Sequence, residues 1–461
     1  MHFIRTFFSV RSLLSLGLVL NLFIMRPSAL GERYTAIGVL IAPILTGMYL
    51  FHTHRQKRYT TPRLRAETAC LLALMAAYWI YVAPISIVNE RSQLEWTLGE
   101  LVTTGVIALS YSAFLLDVNA NRLFFRQLCT VVALLGLSSV VTELLTFWLG
   151  SKDSLYLFSL PVKGYADYTA DPRAATGAIY FPFSMLYSDF ASGTVKFDRY
   201  CAFFREAGIY QAIACFCLIY EALTRRSRLL MACMMGGVVC AFSTLGIALL
   251  AMSLGLLFML SGRSRKTLLP RLILTATLVA MAWPVALYTP YIGIKDKART
   301  HGESISDRER SVDRALANFA ARPLGVGLFS GKEANDGISL LAQIGMIGLF
   351  GFACQVVMLS AWRPGTRPNW PKIGACAPLL ITALFAQPIA GAPTVYVILL
   401  AYLPSLRQQS ERRGKRRRKT ARRMAPAHAQ YGPAPMPTPM PALMTLSGDQ
   451  IAGLNAVARN A

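Results

Sequence analysis

The chain has 461 residues, 54% of them hydrophobic and only 15% charged. A soluble domain carries about a quarter charged residues, so this composition excludes a soluble enzyme or binding module and indicates an integral membrane protein. The formal net charge of +24 would suggest nucleic acid for a soluble protein. Here the positive residues fall in short connections between apolar runs and in one tail, where they report topology and not nucleic-acid binding.

A bilayer span takes about 20 apolar residues. In chain order, that rule predicts twelve spans, at about 8–25, 34–52, 67–88, 98–117, 127–149, 205–223, 228–242, 243–261, 268–290, 338–361, 373–389 and 392–406. The first is followed by Arg26-Pro27 and by no small-residue cleavage site, so it reads as a span and not a signal peptide. Arg55, Lys57, Arg58, Arg63 and Arg65 follow the second span, Arg122 and Arg126 the fourth, and Arg225, Arg226 and Arg228 the sixth. Arg263, Arg265, Lys266 and Arg271 follow the eighth, and Arg363, Arg367 and Lys372 the tenth. Every second connection is basic, which places both termini in the cytoplasm. This pattern also favours a hairpin at Ala241-Phe242-Ser243-Thr244 over one long helix, because a single span there would turn the later basic connections outward.

Two connections are long, at about 150–204 and 291–337, and both face outward in this topology. Long loops among short ones are usually functional. The expected architecture is therefore an all-α polytopic bundle over 1–406, with two long outer loops, followed by a tail over 407–461. The tail begins with the basic run Glu411 to Arg423 and continues Pro/Ala-rich, a composition that predicts disorder and contact with anionic lipid. The nine cysteines lie mostly in apolar runs and the five histidines are scattered, so neither a disulfide framework nor a metal site is expected.

Two constellations carry chemistry. FDRYCAFFREAGIYQ, at 197–211, lies where the first long loop meets a span. Arg199, Arg205 and Glu206 are expected together at a helix start, where anions are favoured. Glu206 reads either as a base or as a salt-bridge partner of Arg205. The second constellation, RERSVDRALANFAARPLGVGLFSGKEANDG, brings Arg308, Arg310 and Arg314 before Gly325 and Gly327. Residues 308–321 read as a short helix with Arg310 and Arg314 on one face. Arginine grips phosphate bidentately, and glycine lets backbone approach a ligand closely. Asn335 and Asp336 read as helix caps or as hydrogen-bond partners of a sugar hydroxyl. AFSTLG, at 241–246, and Glu143, a lone carboxylate in an apolar run, complete the set.

Taken in order, these segments resemble those of bacterial O-antigen and exopolysaccharide polymerases. FDRYCAFFREAG is similar to their R-x-x-G/A-x-F-x-E-P-G segment, with Ala207 where proline is common. AFSTLG resembles their Ser/Thr-rich segment, and RALANFAARPLGVGLFS with ANDGISLLAQIGMIG resembles their arginine-to-glycine segment before a late span. The related O-antigen ligases carry a histidine before the asparagine of that span. Ala334 stands there, which favours polymerase over ligase.

The resemblance implies a metal-independent membrane glycosyltransferase of GT-C-like fold, without cofactor, in the bacterial inner membrane. Its substrate would be a polyprenyl-pyrophosphate-linked oligosaccharide, joined into polysaccharide at the periplasmic face. Arg199, Arg205, Glu206 and Arg314 would be catalytic. Arg308, Arg310, Gly325, Gly327, Asn335 and Asp336 would bind pyrophosphate or sugar. The implied partners are membrane lipid, a flippase and a chain-length regulator. The competing readings are ligation of a finished glycan and transport of a lipid-linked sugar; few charges fall mid-membrane, which weighs against transport.

Overall fold

The computed structural model describes residues 9–54, 58–89, 93–160, 177–192, 195–260, 302–329, 339–363 and 367–404, with isolated helical positions at 273 and 277. The chain divides into a compact unit over Met1–Leu406 and a second unit over Arg407–Ala461. The second unit, and with it the tail, lies outside the described residues.

The first unit is mostly helical. In chain order it runs α1 (Val10–Asn21), α2 (Gly31–Thr53), α3 (Pro62–Val88), α4 (Leu94–Leu115) and α5 (Val118–Leu149). Four strands follow, β1 (Tyr156–Ser159), β2 (Ala178–Tyr180), β3 (Ser184–Ser192) and β4 (Val195–Tyr200). Then come α6 (Ala207–Thr224), α7 (Arg228–Cys240), α8 (Thr244–Leu260), α9 (Gly302–Ala321), α10 (Ile344–Leu359), α11 (Trp370–Phe385) and α12 (Pro393–Leu399).

Among the described residues, α2 to α6 are long and apolar enough to cross a membrane, and α1, α7, α8, α10 and α11 are shorter apolar helices. The protein is membrane-embedded. Its apolar surface says so independently: Leu40, Ile44, Met48 and Phe51 form an exposed stripe down α2 at helical spacing. Such a stripe is tolerated when lipid covers it. Exposed Trp96, Phe147 and Trp148 sit at one end of the bundle and Trp362 and Trp370 at the other, as in the aromatic belts of membrane interfaces. The central element is α6, apolar all round, with every residue from Ile209 to Glu221 buried.

The connections sort into two ends. At one, Val118 N donates to Tyr59 O at 2.9 Å and Arg63 to Arg367 O at 3.3 Å. Arg122 there lies 5.4 Å over the Tyr402 ring. At the other end Gln93 N donates to Phe329 O at 3.2 Å, and Leu340 N to Ala383 O at 2.7 Å. Among the described residues, the basic connections after α2, α4 and α10 gather at the first end, and the described parts of both long loops at the second.

Two expectations need correction. The first long loop is not plain connection: β1 to β4 form an antiparallel meander in the order β1-β2-β3-β4, so the fold is not purely helical. The segments SMLYSDFAS and VKFDRY pair across β3 and β4; they are short, with aromatic residues interleaved with polar ones, and a search for apolar runs passes over them. The run at 392–406 is helical only over Pro393–Leu399. Seven residues of helix rise about 10 Å, too little to cross a bilayer. Residues 400–404 continue as non-helical, buried chain. Buried backbone outside a helix persists only where protein satisfies its polar groups. Asn121 does this from α5, donating to Leu400 O at 2.9 Å and accepting from Tyr402 N at 2.9 Å. Asn369 donates to Leu403 O at 3.0 Å. The twelve-span layout as a whole is not established, and the span expected at 268–290 lies outside the described residues apart from positions 273 and 277.

At the basic end a buried ion pair ties α3 to α11. Lys372 Nζ lies 2.8 Å from Glu67 Oε2, with side-chain exposures of 2% and 6%. Arg63 holds the other carboxylate oxygen at 2.8 Å. Removing one member of such a pair strands a buried charge and costs about 3–5 kcal/mol, whereas an apolar pair of similar volume is near neutral. Lys372→Ala is therefore expected to lower the thermal unfolding midpoint of the purified protein sharply. Glu67→Leu with Lys372→Met should recover most of the loss. An unchanged midpoint for Lys372→Ala would remove the pair from the list of stabilising contacts.

Candidate active site

The site is built where β4 hands over to α6. The chain turns at Ala202 and Phe203, which take the left-handed φ values of 48° and 67°. Residues 203–205 then run antiparallel to 27–29, with Ala29 N donating to Phe203 O at 2.8 Å and Arg205 N to Pro27 O at 3.0 Å. This pairing anchors the start of α6 to the α1–α2 connection. Glu206 occupies the N-cap position in extended conformation, but its side chain does not cap the helix. It accepts instead from Gln387 Nε2, in the turn after α11. Gly208 explains the approach: a Cβ there would stand 3.2 Å from Gln387 Nε2.

Arg205 does not pair with Glu206, as one sequence reading had it. Its guanidinium lies 2.6 Å from Glu32 Oε1, in the first turn of α2, with side-chain exposures of 45% and 24%. The two neighbours thus diverge to different partners. Neighbouring Cys201 is fully buried. Burial pushes its thiol up to about 12, so it is an inert packing residue and no nucleophile.

Arg199 is not at the helix start either. It lies on β4 opposite Ser188. Its guanidinium sits 5.2 Å over the Tyr187 ring, and its Nε donates to Ala241 O at 3.4 Å. That contact joins β4 to the AFSTLG segment. The same segment packs on α6 through Gly246, where a Cβ would come within 1.9 Å of the Gln211 side chain. Two segments singled out in the sequence, 197–211 and 241–246, are therefore neighbours in space.

The second constellation splits between helix and strap. Arg308, Arg310 and Arg314 lie on α9; the Arg308 side chain is outside the described set, and Arg310 and Arg314 are exposed. Arg314 borders a cleft of about 20 Å³ lined also by Ser311, Ala315, Asn318, Ala342, Gly345 and Met346. That is room for about one water. Residues 322–329 form a strap across α3 and α10. Val326 N and Gly327 N donate to Gly345 O and Met346 O at 3.0 and 2.9 Å. Tyr81 OH donates to Leu324 O at 2.8 Å, Leu328 N donates to Ser86 Oγ at 2.8 Å, and Asn89 donates to Val326 O.

Gly325 and Gly327 both take φ of +90°. A Cβ at Gly325 would meet Met346 O at 2.4 Å, and one at Gly327 would meet Ser86 Cα at 2.7 Å. The close approach expected for a ligand is made here by protein backbone. Asn335 and Asp336 lie outside the described residues.

The two constellations are joined through 383–387. Ala383 O and Leu384 O accept from Leu340 N and Leu341 N before α10, while Gln387 donates to Glu206. Around this bridge lie residues that the sequence reading passed over. Arg26 faces Glu100 at 3.8 Å, and Gln355 donates to the Tyr396 hydroxyl at 3.1 Å inside the bundle. The available signal was an ionisable or amide side chain inside an apolar run. Among the described residues no three His, Cys, Asp or Glu side chains group as metal ligands.

Together these features define a helical membrane protein with a polar cluster at one end of the bundle. No family model, curated protein or solved structure matches the chain.

Proposed function

We propose that the protein is a polysaccharide polymerase of the bacterial inner membrane, acting at the periplasmic face with both termini in the cytoplasm. The observation that carries this reading is the position of Glu206. Its carboxylate lies at the start of the most buried helix, next in sequence to Arg205 and held by Gln387, on the segment 383–387 that also receives Leu340 N and Leu341 N ahead of α10. In this reading Glu206 is the base and Arg205, Arg310 and Arg314 grip phosphate, at the end of the bundle opposite the basic connections. The alternating charge pattern supports the orientation.

In this reaction an acceptor hydroxyl attacks the anomeric carbon of a polyprenyl-pyrophosphate-linked oligosaccharide. Glu206 takes the hydroxyl proton, the new glycosidic bond forms, and the bond to pyrophosphate breaks. Negative charge builds on the leaving pyrophosphate. Arginines fixed by other contacts stabilise that charge without reorganising at the moment of reaction. Arg205, Arg310 and Arg314 serve this role, while Arg199 fastens the sheet to the α7–α8 turn.

A second reading is favoured by one feature. The broken segment after α11, where the short α12 sets Tyr396 against Gln355 and gives way to non-helical chain at 400–404, resembles the discontinuous elements that line transport sites. Glycan chain length in cells separates the two. Cells lacking the protein are expected to display glycan of single repeat units, because each unit still reaches the outer face. Units trapped inside, with no surface glycan, would support transport; long chains at normal abundance would overturn the polymerase reading.

A further inference from the structure

An apolar groove of about 470 Å³ runs between α2 and α4, lined by Ala36, Val39, Leu40, Leu98, Gly99, Val102 and Thr103. The lining lies about one to two and a half turns from the start of each helix, at Gly31 for α2 and at Leu94 for α4. The groove therefore lies at the same end of the bundle as Arg205 and Glu206. Gly99 keeps it open: no atom stands within 4 Å of where its Cβ would be.

The groove runs toward a charged rim. Glu100 follows Gly99 in sequence and faces the Arg26 guanidinium at 3.8 Å, with Arg26 42% exposed. Arg26 N donates to Thr35 Oγ1 at 3.2 Å, one residue before Ala36 of the lining. Glu32, which holds Arg205, stands one turn above Ala36 and two above Leu40 on the same face of α2. An apolar channel thus leads to two arginines, and the ion contact of one is long and exposed. Contacts of that kind contribute little and exchange readily for a better acceptor.

We propose that this groove seats the isoprenoid chain of a lipid-linked phosphate, with Arg26 holding the phosphate at its head. A slot walled by only two helices suits one chain, whereas a glycerophospholipid brings two. The identity of the lipid rests on the polymerase reading; the seat itself does not. It assigns Arg26 to substrate binding, next to but separate from Glu206, and it supplies a lateral route from the bilayer to the site.

The test uses the purified full-length protein in detergent and a polyprenyl phosphate bearing a photoreactive group in its first isoprene units. Crosslinks are expected on the peptides containing 36–40 and 98–103. Gly99→Trp, which fills the slot, should cut the yield at least about tenfold. Arg26→Gln should weaken binding on the order of tenfold, the scale of one lost charge-assisted hydrogen bond. Gly105 on α4 is equally open to its surroundings but is not part of this groove's lining, so Gly105→Trp controls for folding and should bind as wild type. Unlabelled polyprenyl phosphate should compete and phosphatidylglycerol should not. Crosslinks elsewhere, equal competition by phosphatidylglycerol, or normal labelling of Gly99→Trp would each overturn the proposal. Because the assay reads binding alone, a protein that labels as expected yet makes no polymer would retain the seat and lose only the polymerase reading.

Discussion

Glu206→Gln is expected to reduce polymer formation by about 10²- to 10⁴-fold, the range for a positioned general base. The substitution keeps the shape of the side chain and leaves an oxygen for Gln387 Nε2 to donate to, so the local geometry should survive. The helix start should survive too, because the carboxylate is not the cap of α6. What disappears is the capacity to take a proton. The check is the initial rate of polymer formation at matched protein abundance. A rate near wild type would leave Glu206 a structural partner of Gln387 and send the search for the base to Glu32 or Glu100. Gln387→Leu acts through Glu206 as a positioning change and should cost less, with its effect vanishing in the Glu206→Gln background.

Arg314→Ala is expected to lose about 100- to 1000-fold in rate, the scale for removing one donor that stabilises transition-state charge. Arg314→Lys keeps the charge but loses the planar fork, so it too should be strongly impaired. Abundance should hold in both, because Arg314 is exposed on α9 and the small cleft beside it is closed mainly by Ala315, Asn318 and Gly345. The small size of that cleft makes the test sharp. A pyrophosphate cannot enter it, so Arg314 must reach its ligand from the open face of α9. Wild-type rates for Arg314→Lys would remove the arginine from the mechanism while leaving the rest of the site in place.

Much of the bundle was readable from hydropathy and charge. Helices at Gly31–Thr53, Pro62–Val88 and Ala207–Thr224 fall close to the spans expected at 34–52, 67–88 and 205–223. The reason is physical: a long apolar run bounded by charge has few alternatives in a bilayer. The same rule failed at 392–406. Hydropathy does not distinguish a spanning helix from buried non-helical chain, and the residues that make such chain tolerable there, Asn121 and Asn369, are far away in sequence for Asn121 and lone polar residues in both cases.

The site was legible in its parts and not in its pairings. The FREAG segment was placed correctly at a helix start. Nothing local predicted that Arg205 would turn to Glu32 or Glu206 to Gln387. Likewise Gly325 and Gly327 announced a close approach, but whether ligand or backbone approaches is decided by Ser86 and Met346, on α3 and α10. Arg199 was expected with Arg205 and Glu206 at the helix start; its own segment alternates and pairs as a strand.

The most direct measurement gives the purified protein only lipid-linked repeat units, in detergent, with no membrane gradient and no second compartment. A polymerase will produce a ladder of longer glycans with release of polyprenyl pyrophosphate, and Glu206→Gln will abolish the ladder at equal protein concentration. The contradicting result is a wild-type protein that makes no polymer under these conditions, yet moves the same units across the wall of a sealed vesicle.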